Sequence, residues 1–180
     1  MTRMPPSDVD GRLLDTTIAS ALWDTGHRAH SEARGRVAAI PKDLIFVSVV
    51  TLAEVDYGME IAPNVDVQRQ LSVREKMRDY EIFDISKHTA VIYAHLRAEL
   101  FRKYSPKNKR GRLTAKRVES LLDRTTAKEI GVQENDLWIV SVAIEHDLIL
   151  ATDDQAGGMT RILDVANYLG RTEYWLARDI

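Results

Sequence analysis

The 180-residue chain contains no cysteine. Disulfides and thiolate metal sites are therefore excluded, leaving oxygen or imidazole as the donors for any metal. The same absence fits a reducing compartment. No apolar run approaches the ~20 residues needed to cross a bilayer, and the opening MTRMPPSDVD lacks the apolar core of a signal peptide. A cytoplasmic protein with no membrane partner is expected. An excess of one charge is missing too: 25 Lys and Arg stand against 27 Asp and Glu, a formal net charge of −2. That balance excludes a uniformly basic nucleic-acid coat but permits a local basic patch. Internal repeats and low-complexity segments are also absent.

With 44% hydrophobic and 29% charged residues, the composition predicts one globular domain over residues 11–180, preceded by a flexible tail over 1–10. RLLDTT is a short apolar run ending in Asp15, and IASALWDTG beyond it reads as a helix stopped near Gly26. HRAHSEARGRVAAIPKD predicts a second helix ending at Pro41, and LIFVSVV, rich in β-branched residues, predicts a buried strand. Thr51 then opens a helix, TLAEVDYGMEI. Helical periodicity returns over 65–80 and 86–104, with EIFDI as a short strand between them. Residues 102–117 are basic and poor in apolar groups, which predicts a long exposed loop, partly helical from Thr114. The alternation of strands and helices predicts an α/β fold around a parallel sheet, with 161–165 as its last strand.

The stretch ENDLWIVSVAIEHDLILATDD carries acids at both ends. A helix over 136–146 is ~16 Å long at ~1.5 Å per residue, and a strand over 148–152 returns a similar ~16 Å at ~3.3 Å per residue. Asp136 and either Asp153 or Asp154 are thereby brought to one edge. Parallel strands share the edge where their carboxyl ends emerge, so Asp15, ending the first strand, belongs there. Glu54, in the first turn of the helix after the second strand, joins it. Carboxylates gathered in one cleft repel, and must either raise their pKa values or bind cations. A hard divalent cation such as Mg²⁺ resolves the repulsion, because it takes oxygen ligands and is bound together with substrate phosphates. Metal-dependent phosphodiester hydrolysis is the chemistry this suggests.

Each acid also has a structural explanation. Thr51 and Glu54 match the S/T-x-x-E capping box, Asp136 suits the positive end of a helix dipole, and Asp15 can cap the helix that follows it. Singly those readings are favoured; convergence brings the metal site level with them. His27 and His30, three residues apart, read as a solvated pair, His146 as a helix-end contact, and Trp23 and Trp138 as core. The segment 102–117 holds eight Lys or Arg among sixteen residues. It is either a solvated loop or a surface that contacts nucleic-acid phosphates through Lys107, Lys109, Arg110 and Arg112, without base selectivity.

LLDTT, SVVTLAEVDYG and ENDLWIVSVAIEHDLILATDD, in this order and at these spacings, together resemble the PIN-domain ribonucleases and, within them, the VapC-like toxins of bacterial toxin-antitoxin pairs. The similarity runs from about Gly11 to Val165. It implies a PIN-like three-layer α/β fold, a central parallel sheet flanked by helices. The family's acids fall on Asp15, Glu54, Asp136 and, in its T-x-D, Asp154 after Thr152, with Asp153 as the alternative. The resemblance further implies endonucleolytic cleavage of RNA dependent on Mg²⁺ or Mn²⁺, a homodimer, and a small antitoxin that blocks the acidic cleft. Thr17 stands where the family usually has asparagine, and QAGGM follows the last acid where an aromatic is often found.

Other readings compete. A PIN fold that binds RNA or protein without cutting has no need to concentrate negative charge where phosphate must approach. A housekeeping RNA-processing nuclease would carry the same acids. A haloacid-dehalogenase-like phosphatase, suggested by a strand ending LLDTT, needs a second aspartate where Thr17 stands.

Overall fold

The computed structural model describes residues 10–64, 66–112, 118, 121–122, 129–155 and 157–176. The expected tail, save Asp10, and the basic segment beyond Arg112, with its expected helix from Thr114, lie outside the described residues.

Five short strands, β1 (Arg12–Leu14), β2 (Ile45–Ser48), β3 (Glu81–Phe83), β4 (Ile149–Thr152) and β5 (Thr172–Tyr174), form one sheet in the order β3-β2-β1-β4-β5. Every pairing is parallel, and Leu13 sits in register with Phe46 on one side and Leu150 on the other. Successive side chains of a strand point to opposite faces. Leu13 and Leu150 accordingly enter one core, while Leu14 and Ala151 enter a second.

The second core is covered by α1 (Thr16–Trp23), α2 (His30–Ala38), α3 (Val49–Glu60) and α4 (Val67–Met77), which contribute Ile18, Ala33, Val55 and Val73. The first core is covered by α5 (Lys87–Tyr104), α6 (Glu134–Glu145) and α7 (Gly157–Val165), through Leu96, Ile139 and Ile162. The result is the expected three-layer α/β architecture with helices on both faces of a parallel sheet. The three central strands β1, β2 and β4 are buried on both sides, which is why their runs are mainly apolar and not alternating. The chain builds β1, β2 and β3 outward in one direction, then returns to lay β4 and β5 on the other side of β1. The crevice outside the carboxyl ends of β1 and β4 is therefore the switch point, the usual ligand position in an open parallel sheet.

Three boundaries differ from expectation. Residues 161–165 are not a strand: they finish α7, whose Met159, Ile162 and Leu163 recur at helical spacing on one buried face, and the last strand is β5. The helix after β2 opens at Val49, not Thr51, because the Ser48 hydroxyl accepts the Thr51 amide at 3.0 Å. Ser48 takes the cap, so Thr51 and Glu54 form no capping box. The expected exposed loop from 102 begins only at Ser105, since Arg102–Tyr104 complete α5.

One close backbone approach fixes the entry to α6. A Cβ built on Gly158, in the first turn of α7, would stand 2.0 Å from the carbonyl oxygen of Gly131, itself at a φ of +69°. Only hydrogen fits between these two segments. Arg161 reinforces the contact by donating to the Ile130 carbonyl at 2.7 Å.

Candidate active site at the carboxyl edge of the sheet

Asp15 follows β1 directly and is buried. Its Oδ1 accepts the Ile18 amide at 2.9 Å, capping α1, and also the Thr17 hydroxyl at 2.8 Å. Its Oδ2 accepts the hydroxyl of Thr152, the last residue of β4. That hydroxyl in turn accepts the Asp154 amide at 2.9 Å, so one threonine bridges the ends of the two central strands and sets Asp154 beside Asp15. Burial pushes the Asp15 carboxyl from its ordinary 3.8 up to about 6; the bonds from Thr152, Ile18 and Thr17 pull it down and the Asp154 charge adds to the rise.

Glu54 lies on α3 and is gripped from two sides. The Thr16 hydroxyl donates to its Oε2, and the Asn135 amide donates to its Oε1 at 2.7 Å. Asn135 belongs to the first turn of α6, so this bond ties α3 to the helix that carries Asp136. Asp136 is half-buried and accepts no hydrogen bond among the described residues. Its pKa rises from 3.8 to about 7, through burial first and then through the charges of Asp154, Glu54 and Asp15. The charges of the other three acids thus all reach Asp136 across the crevice.

Asp153 behaves differently. It lines a separate cleft with Thr16, Thr17 and His27, and its charge does not figure among those acting on Asp136. Among the described residues its Oδ1 is buried without a hydrogen-bond partner.

The donor set suits a hard divalent cation: carboxylate oxygens only, two of them with pKa values raised by burial first and by neighbouring charge second, with Asp136 unbonded among the described residues and in the field of the other three. Among the described residues, no three His, Asp or Glu side chains stand close enough to cage an ion. The acids share one field and not yet one coordination shell, as expected of a Mg²⁺-type site completed by waters and substrate phosphate.

Sequence reasoning missed the residues that hold the acids. Thr16 and Asn135 fix Glu54, and Thr152 fixes Asp15 and Asp154. The signal was present in the neighbouring positions of DTT, END and TDD, but which neighbour turns inward depends on the helix starts. Thr17, standing in the asparagine position, supplies a hydroxyl to Asp15.

Of the remaining candidates, Lys107, Lys109, Arg110 and Arg112 are exposed on a turn after α5. Asn108 organises it, its Oδ1 accepting the amides of Arg110 at 2.9 Å and Arg112 at 3.0 Å. None of the four forms an ion pair among the described residues. Trp23 is core, whereas Trp138 is half-buried and stacks on Tyr93 of α5 at 3.8 Å between ring centroids. His27 and His30 do not share a helix face, because α2 begins at His30 and His27 precedes it.

Among known proteins, the PIN domain profile matches residues 12–162. The chain belongs to the PIN domain family. One curated relative, Ribonuclease VapC5 of Mycobacterium tuberculosis (strain ATCC 25618 / H37Rv), is 28% identical over 144 residues, spanning 78% of this chain and 87% of that protein. Solved structures share the fold. The DNA-bound VapBC of Salmonella typhimurium matches with a TM-score of 0.60 at 20% identity, over 93% of this chain and 100% of that one. VapBC-5 of Mycobacterium tuberculosis, a member of the VapBC family of toxin-antitoxin systems, matches with a TM-score of 0.55 at 24% identity, over 91% and 96%. Among the described residues no helix is long and apolar enough to cross a membrane.

Proposed function

We propose that this chain is a divalent-metal-dependent endoribonuclease and the toxin of a toxin-antitoxin pair. The observation that carries the reading is the Asp136 carboxyl, half-buried and in the field of Asp154, Glu54 and Asp15 at the switch point of a PIN fold, so that burial first and then the three charges lift it. A non-catalytic binding module has no use for such an arrangement, because it repels the phosphates it would have to bind. The relative named a ribonuclease and the neighbours solved as toxin-antitoxin complexes support RNA as substrate and a small antitoxin as partner, blocking the acidic cleft. A homodimer is part of the same proposal.

Asp15, Glu54, Asp136 and Asp154 would hold Mg²⁺ or Mn²⁺, with Asp154 preferred to Asp153 because it shares the field of the other three. When bound, such an ion neutralises phosphate charge and supplies an activated water for phosphodiester hydrolysis. The protein's part is positional. Thr152 keeps Asp15 and Asp154 in register, and Thr16 and Asn135 keep Glu54 turned toward α6. Asp136, with no bond to break, is the acid most available to a ligand.

The test is cleavage of single-stranded and structured RNA by the purified chain with Mg²⁺ or Mn²⁺, read as new RNA ends. Cleavage that stops with a chelator and returns with added metal is expected. Full-rate cutting in excess chelator would overturn the mechanism, and no cutting of any RNA with either metal would favour the binding module.

The basic turn carries a separate expectation. If Lys107, Lys109, Arg110 and Arg112 contact phosphates, replacing all four with Gln lowers RNA affinity and flattens its salt dependence. The expected change in log–log slope is up to about 3, from ~0.7 per phosphate contact on a single strand. Binding titrations across salt concentrations decide it; an unchanged slope returns the turn to a solvated role.

A further inference from the structure

Three of the four acids in the crevice are aspartates, whose short side chains keep little freedom once the backbone is set. Glu54 differs. Glutamate has a further torsion and is among the side chains whose rotamer freedom is costliest to freeze. Its own helix does not aim it; the chain neighbours of two other acids do. Thr16, next after Asp15, donates to Oε2 of Glu54, and Asn135, next before Asp136, donates to Oε1 at 2.7 Å.

The two donors are not equivalent. Thr16 opens α1, which shares the second core with α3 through Ile18 and Val55, so those helices meet with or without its bond. Asn135 belongs to α6, whose apolar face fills the first core. Its bond to Glu54 is the only side-chain hydrogen bond between α3 and α6 among the described residues, and it ties one helical layer to the other across the crevice. Packing gives no reason for an asparagine at this position: Asn135 is exposed and enters neither core. Its side chain makes no other hydrogen bond among the described residues and does not cap α6. The donor type is also telling. A neutral amide fixes a carboxylate without cancelling its charge, as Lys or Arg there would, so the charge of Glu54 still reaches Asp136.

We infer, resting on the reading of the crevice as a divalent-metal site, that Asn135 is a positioning residue for the metal: it orders Glu54 before an ion arrives and so sets metal affinity without touching the ion. Groups that hold a ligand from behind typically govern affinity by about 10–100-fold. Asn135 acts here only through Glu54, which makes the two residues a coupled pair and gives the inference a signature that a general structural role lacks.

The experiment measures Mn²⁺ binding by the loss of the free-ion signal in electron paramagnetic resonance, with no RNA present. Asn135→Ala removes the donor and leaves a residue better suited to a helix, so its melting without metal should match the parent's. Its Kd for Mn²⁺ should rise about tenfold, the lower end of the range for such partners. Glu54→Ala should weaken binding at least as much, and adding Asn135→Ala to it should change Kd by less than about twofold, because no carboxylate is left to aim. Asn135→Ala binding Mn²⁺ within about twofold of the parent overturns the inference. A loss of about tenfold that persists in the Glu54→Ala background overturns it as well, since Asn135 would then act at the ion or through the fold. Either result leaves the metal site standing, whereas a parent that binds no Mn²⁺ overturns the metal reading and this inference with it.

Discussion

Asp136→Asn is expected to slow RNA cleavage by at least about 100-fold, the upper end of what loss of a supporting group around a metal costs, while leaving the fold intact. Asp136 is the acid whose removal is cleanest. It accepts no hydrogen bond among the described residues, so asparagine breaks none, and its half-buried position at the start of α6 tolerates an isosteric amide. What disappears is one negative charge at the point where three others converge. Asp15→Asn is a poorer probe, because both oxygens of Asp15 are engaged: an amide nitrogen at either position faces a donor, from Thr152 on one side or from Thr17 and Ile18 on the other. A rate loss in Asp15→Asn therefore mixes structure with chemistry. Cleavage rates of parent and Asp136→Asn under saturating metal, with matched circular dichroism, check the prediction. A variant that cuts at the parental rate removes Asp136 from the active site.

The parallel sheet was legible in the sequence because its three central strands are buried on both faces, so RLL, IFVS and ILAT read as short apolar runs and the helices between them as periodic segments. Counting helix rise against strand rise brought Asp136 to the edge of Asp153 and Asp154, and the carboxyl edge shared by parallel strands added Asp15 and Glu54. The end of the chain was less legible. GGMTRILDV contains an apolar run that suits strand or helix, and only the packing of Met159, Ile162 and Leu163 against α6 and the sheet chooses the helix. The start of α3 was misplaced by two residues because VSVVT offers two hydroxyl caps, Ser48 and Thr51, and strand pairing to β3 through Ser48 decides between them. At the site, residue identity named the acids, but the order of TDD could not say which aspartate turns inward. That depends on the Thr152 hydroxyl, which draws the Asp154 amide and leaves Asp153 to the neighbouring cleft.

Stability without metal should fall as pH rises from about 4 through about 7, and divalent metal should lessen the fall. The folded Asp136 carboxyl has a pKa of about 7 against an ordinary 3.8, so between these values the folded state holds a proton that the unfolded state has released. Stability then declines with pH, by linkage, and the full cost is reached above the folded pKa. Asp15, raised to about 6, acts in the same direction over a narrower window. At ~1.4 kcal/mol per pKa unit, buried Asp15 alone corresponds to about 3 kcal/mol, and with Asp136 discounted for its partial exposure the combined penalty at pH 8 is on the order of 4 kcal/mol, or roughly 8–16 °C in melting temperature. A metal ion binding only the folded acids offsets this, by about 1.4 kcal/mol when free metal is roughly ten times Kd. Asp136→Asn should flatten the pH dependence and weaken the metal response together, because one repulsive cluster causes both. Melts of parent and variant at pH 5 and pH 8, with chelator and with millimolar Mn²⁺, separate this from a structural role. A parent melting temperature indifferent to metal and rising from pH 5 to pH 8 would mean that the acids are stabilised as anions by the fold itself, and that the crevice is not built to receive a cation.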